Sequence, residues 1–164
     1  AYYRAVLRHL VEWVGQSIRE AATRAKMTLG TSPEPEQART VLREFMRDVV
    51  QAVLTKPQAE AVAAIVWREL LRPSSGFDIV YEQMIRPVHE VITELVAAGM
   101  ATERSNPDAV LLAHTLWGQV AIFRLGFHVL RRRLKLRGRR LSKDWIERIC
   151  TTIDAVATRL LAFP

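Results

Sequence analysis

Apolar side chains recur at helical spacing along nearly the whole chain, and no strict apolar–polar alternation lasts beyond six residues. That period predicts helices and no sheet. The first helix covers about Tyr2–Leu29, with Val6, Leu7, Leu10, Val14 and Ile18 along one stripe, and Gly30-Thr31-Ser32-Pro33 stops it. A second, about Pro35–Leu54, turns Leu42, Phe45, Met46, Val49 and Val53 inward. A third, about Pro57–Leu71, does so with Ala59, Val62, Ala63, Val66 and Leu70, before the turn-forming Arg72-Pro73-Ser74-Ser75-Gly76. The fourth, about Phe77–Ala98, lines up Val80, Met84, Val88, Ile92 and Leu95; Pro87 in its middle removes a backbone donor and predicts a bend. Asn106 is placed to cap a fifth helix, which Pro107 opens and which extends to about Leu134. Ser142 caps the last, whose stripe is Trp145, Ile146, Ile149, Ile153, Val156 and Leu160. The expectation is an all-α, six-helix bundle forming one domain over residues 1–164.

The fifth helix breaks the amphipathic rule. From Ala109 to Phe123 fifteen residues pass without a Lys, Arg, Asp or Glu, and apolar side chains point in every direction. A helix without a polar side is buried on more than one side. It falls short of the roughly 18 apolar residues a bilayer span needs. Covering by its own core on one side and a second copy on the other predicts a homodimer. By helical phase Leu112, Leu116, Gln119, Phe123, Phe127 and Leu130 share one face, expected to meet the partner together with Ile149, Ile153 and Val156. Gly118 and Gly126 would permit close backbone approach. Burial of all these residues inside a monomer core is the competing reading.

His114, Trp117, Ala121, Arg124 and His128 fall on another face, which would look into the subunit toward Trp67, Met84 and the bend at Pro87. Aromatic walls with a few polar points are what a small-molecule pocket needs. Phe45, Trp67, Met84 and Trp117 are the candidate walls, with His89 and His114 as polar points; Gln119 fits the pocket less well than the dimer face. Plain packing explains the same spacing. Arg68-Glu69 and Arg124 offer a buried ion pair, or else two guanidinium groups reaching solvent past apolar stems.

Composition narrows the classes. A single cysteine, Cys150, excludes an internal disulfide framework and a Cys-based zinc site, and agrees with a cytoplasmic setting. Tyr2 to Ile18 is amphipathic and charged, unlike a secretory signal. The net charge of +7 is local: Arg131, Arg132, Arg133, Lys135, Arg137, Arg139 and Arg140 carry it, and the remaining chain balances at 17 basic against 17 acidic residues. Such a run is either a solvated loop or a contact for phosphates or an anionic surface, the latter sensitive to salt. Enzyme chemistry finds no foothold: there is no Glu-x-x-His, no His-Glu-x-x-His, and no phosphate-binding Gly loop, so no cofactor or metal is expected.

Two stretches resemble a known family. Tyr3-Arg4-Ala5-Val6-Leu7 is similar to the segment that leaves the DNA-binding head in TetR-family transcriptional regulators. WRELLRPSSGFDIVYEQMIRP (Trp67–Pro87) and WGQVAIF (Trp117–Phe123) resemble the ligand-binding body of one subgroup of that family. The resemblance implies a C-terminal body that senses a small hydrophobic effector and dimerises through a four-helix bundle made by the last two helices of each subunit. It implies a regulator, most often a repressor, without membrane contact. A full member carries roughly three further helices upstream, including a helix-turn-helix. None lies in this sequence, which starts at Ala1 in a helix already under way, so residues 1–29 are expected to link to a preceding head that carries DNA binding. The alternative is a helical dimeric adaptor that binds protein partners and no small ligand.

Overall fold

The computed structural model describes residues 2–56, 59–137 and 140–162, apart from the side chains of Trp13 and Val14. Among them there is no strand. The helices are α1 (Tyr2–Leu29), α2 (Pro35–Thr55), α3 (Ala59–Leu71), α4 (Phe77–Val80), α5 (Arg86–Gly99), α6 (Pro107–Leu125), α7 (Phe127–Arg133) and α8 (Lys143–Leu161), with a π-helical turn at Tyr81–Ile85 joining α4 to α5. Helices α1, α2 and α5 pack together, and α6 and α8 close the bundle over α2 and α5. The core holds Leu7 and Val11 of α1, Leu42, Phe45 and Met46 of α2, Ile92 and Leu95 of α5, Leu116 of α6 and Ile153 of α8.

Local signals operate as the sequence predicts. Gly30 ends α1 at φ 69, a conformation that costs a residue with a Cβ. The Asn106 side chain accepts from the Asp108 N–H at 2.9 Å at the start of α6, and Ser142 does the same for Trp145 at 3.4 Å at the start of α8. On α1 the buried stripe is Leu7, Val11 and Ile18, while Val6 is exposed; Val14, expected on that stripe, has its side chain outside the described residues, and Pro57 lies outside them too.

Two elements differ from the six-helix expectation. The fourth helix is a composite run, because Pro87 has no N–H to offer and the ladder shifts just upstream. There the Arg86 N–H bonds to the Tyr81 carbonyl, five residues back. The fifth helix does not continue to Leu134. It ends at Gly126, whose N–H bonds to the Ile122 carbonyl at 2.7 Å, and α7 departs from α6 by 67°. After the bend, Phe127 lines a small notch together with Leu54 of α2 and Leu141. No single helix among the described residues is long and apolar enough to cross a membrane.

Candidate functional site

Helices α3 and α6 do not close on each other completely. A partly open cavity of about 90 Å³ lies between them, bounded also by Ile18 of α1, Val49 and Val53 of α2, Met84 of the π turn and Val88 of α5. The α3 wall is Val62, Ala63, Val66 and Trp67; the α6 wall is Trp117, Val120, Ala121 and Arg124. Three expected wall residues, Trp67, Met84 and Trp117, therefore meet at one site. Met84 lies within the π turn and lines the cavity together with Val88 of α5.

Three other candidates stand elsewhere. Phe45 is 2% exposed and fills the core, so it is not a wall of this cavity. It shares a face of α2 with Val49 and Val53, which do line the cavity one and two turns further on. His89 and His114 form a ring pair with centroids 5.5 Å apart, and His114 stacks obliquely on Trp117 at 5.6 Å, away from the cavity lining. Burial and then the neighbouring His114 push His89 below its ordinary pKa. His89 Nδ1 lies 3.3 Å from the Thr93 hydroxyl.

Arg124 is the one charged residue on the described wall of the cavity. It does not pair with Glu69; its ion-pair partner is Glu60 at 3.8 Å. Glu69 instead organises a second cluster at the end of α3. It is fully buried, accepting from the Tyr3 hydroxyl, from the Ser74 N–H at 3.0 Å and hydroxyl at 2.8 Å, and from Arg68 at 3.0 Å. Arg68 also donates to the Tyr3 hydroxyl and lies over the Tyr3 ring. Burial alone would raise the Glu69 carboxyl; the hydrogen bonds from Tyr3, Ser74 and Arg68 outweigh it and hold the pKa at about 2, against an ordinary 4.5. The cluster ties the first turn of α1 to the helix that walls the cavity. A residue at position 76 with a Cβ would place it 2.7 Å from Leu7 Cδ2 and 3.2 Å from the Glu69 carboxyl carbon, so Gly76 is what lets α1 approach. Sequence reasoning saw Arg68-Glu69 but not Tyr3, because the partners are 66 residues apart.

The expected dimer residues separate as well. Leu116, Ile149 and Ile153 are buried within the single chain, because α6 and α8 turn them onto α2 and α5; they leave no surface for a partner. Gln119, Phe123, Phe127, Leu130 and Val156 are half-buried. The side of α6 opposite its core carries Leu111, Thr115, Gly118 and Ile122, with Leu111 65% and Ile122 60% exposed. Space over Gly118 is open: a Cβ there would meet nothing within 4 Å. On α8 the edge facing α2 is tied down, since Arg47 of α2 binds both oxygens of Glu147 at 2.6 and 2.7 Å and Asp154 at 3.2 Å, while Arg148, Thr151, Thr152 and Ala155 stay exposed.

The all-helical bundle with an apolar cavity beneath α6 agrees with the TetR-type C-terminal body that the sequence resembles. Residues 38–162 match the family model described as HTH-type transcriptional dual regulator CecR, C-terminal domain, and the chain belongs to that family. It is 29% identical over 126 residues to the HTH-type transcriptional dual regulator CecR of Shigella flexneri. That alignment covers 76% of this chain and 56% of the relative, so the chain spans little more than half the relative's length.

Proposed function

We propose that this chain is the effector-sensing and dimerising body of a transcriptional regulator, acting on DNA through a helix-turn-helix head attached ahead of α1. The relative is named for its HTH and for dual regulation, which supports the regulatory class and widens the expectation of repression to include activation. The observation that carries the sensing role is the cavity shared by Trp67 and Trp117, joined through α3 to the start of α1. A ligand between α3 and α6 displaces α3 outward. Through Glu69 and Tyr3 that displacement reaches the helix leading to the head. A coupling of about 1–3 kcal/mol is all such a device requires. A purely structural adaptor has no use for a hollow beneath its most apolar helix, so the adaptor reading ranks second.

Filling the cavity tests this directly. Ala121 is half-buried on the α6 wall, and Ala121→Leu inserts three carbons into existing space, so the fold tolerates it. The expected result is an unchanged or slightly raised melting temperature. Small aromatic and aliphatic compounds that raise the melting point of the wild-type protein lose that effect on the variant. Full stabilisation of Ala121→Leu by the same compounds would mean that they bind elsewhere.

A further inference from the structure

Arg124 occupies an unusual position for an arginine. Its side chain is only 15% exposed, and every other described residue lining the cavity is apolar. Glu60, its ion-pair partner, is 78% exposed and stands 3.8 Å away, well beyond the roughly 2.7–2.9 Å of a charge-assisted hydrogen bond. The guanidinium is half-buried, and its N–H groups outside this long ion pair reach solvent at the mouth of the cavity, while burial pushes its pKa down. A half-buried cation beside apolar space, in so long an ion pair, is better satisfied when an anion completes it.

The surroundings extend the pattern. Arg124 also borders a small polar notch on the far side, lined by Lys56, Glu60, Thr55, Arg140 and Phe127. Lys56 donates to the Ser17 hydroxyl at its edge. Among the described residues, Arg124 and Arg140 bring positive charge to this notch and Glu60 negative charge. On one side of the guanidinium lies apolar space; on the other lies a polar opening lined by Arg140, Thr55 and Glu60.

From this junction we infer that the effector is an amphipathic monocarboxylate, its apolar body in the cavity against Trp67, Met84 and Trp117 and its carboxylate on Arg124. The inference rests on the cavity being the effector site. A carboxylate can take two parallel N–H bonds from one guanidinium, which orients the ligand as well as holding it. In doing so it competes with Glu60. Because Glu60 belongs to α3 and Arg124 to α6, binding exchanges a link between the two walls for a link to the ligand. That frees α3 to move, and α3 is the element Glu69 fastens to α1.

The test uses matched pairs on the full-length protein: naphthoate, hydrocinnamate and octanoate, each beside its primary alcohol, with affinities measured by calorimetry. The acid of at least one pair is expected to bind about tenfold tighter or more than its alcohol, as hydrogen bonds to charged groups imply. Arg124→Met erases that advantage and leaves the alcohol's affinity in place, whereas Arg124→Lys retains part of it. Glu60→Gln strengthens the acid. Alcohols that bind as well as acids, or an acid affinity indifferent to Arg124→Met in a variant with normal circular dichroism, would overturn the carboxylate assignment and leave the cavity standing as an apolar site. Absence of binding by both members of every pair would overturn the sensing role and the carboxylate with it.

Discussion

Glu69→Ala is expected to destabilise the protein by about 2–3 kcal/mol, measured by urea unfolding at neutral pH. Arg68 is half-exposed and rehydrates when its partner goes, so no buried cation is stranded. The loss comes from the Ser74 N–H, the Ser74 hydroxyl and the Tyr3 hydroxyl, each left without its acceptor, at about 1–3 kcal/mol for a fully buried group and less where water reaches it. Glu69→Gln keeps the shape and part of the bonding, and its loss is smaller. Its value lies in pH. The Glu69 carboxyl is held at about 2 in the folded protein against an ordinary 4.5, so its contribution is complete above the ordinary value and is lost as pH falls from there toward about 2. The stability difference between wild type and Glu69→Gln should therefore shrink as pH falls from about 4.5 toward about 2. A difference that stays constant across that range would show that the charge on Glu69 contributes nothing. The same variants bear on signalling: a protein with Glu69→Ala should still bind its effector but transmit less of the response to DNA, because the first turn of α1 is no longer tied to α3.

What the sequence discloses about this fold depends on how local each cause is. Asn106, Ser142 and Gly30 act within a few residues of themselves, and their caps are legible from composition alone. Helical periodicity identifies the face a residue occupies but not its height in the bundle. Phe45 illustrates this, since it shares a face with Val49 and Val53 and yet sits one turn too early to reach the cavity. The break at Gly126 is hidden for a different reason. Glycine inside a helix costs only about 1 kcal/mol, so an apolar run containing one reads as continuous. The break is visible only in the fold, where the chain turns 67° at Gly126 and Phe127 comes to line a notch with Leu54 and Leu141. The π turn is half legible. Pro87 announces a disturbance, but the register change falls upstream, where Arg86 bonds to Tyr81. Glu69 shows the limit most clearly, because a buried carboxylate can be recognised only when the tyrosine and serine that satisfy it are known.

Replacing Ile122 by lysine should abolish self-association, and this is the largest effect expected of any surface change. From Ala109 to Phe123, α6 carries no Lys, Arg, Asp or Glu on any side. Within one chain only part of that run is covered: Ala109, Ala113, Leu116 and Val120 face the core, while Leu111 and Ile122 remain mostly exposed. An apolar stripe of that kind, with Gly118 between its ends, suits close packing against its own two-fold mate. In such an isologous contact one substitution enters twice, near the axis. Each buried lysine carries a charge for which the stripe Leu111, Thr115, Gly118 and Ile122 offers no carboxylate. A cost of at least about 3 kcal/mol raises the dissociation constant on the order of 100-fold or more. Sedimentation across a concentration series measures it. Thr23→Lys, an exposed position on α1, serves as the control that leaves association unchanged. Partners other than a second copy are separated by the wild type itself: a protein that stays monomeric at tens of micromolar has another use for the exposed face of α6, and the two-fold model fails. If Ile122→Lys instead yields a stable monomer that still binds effector but no longer responds on DNA, then the cavity belongs to each subunit and the response belongs to the pair.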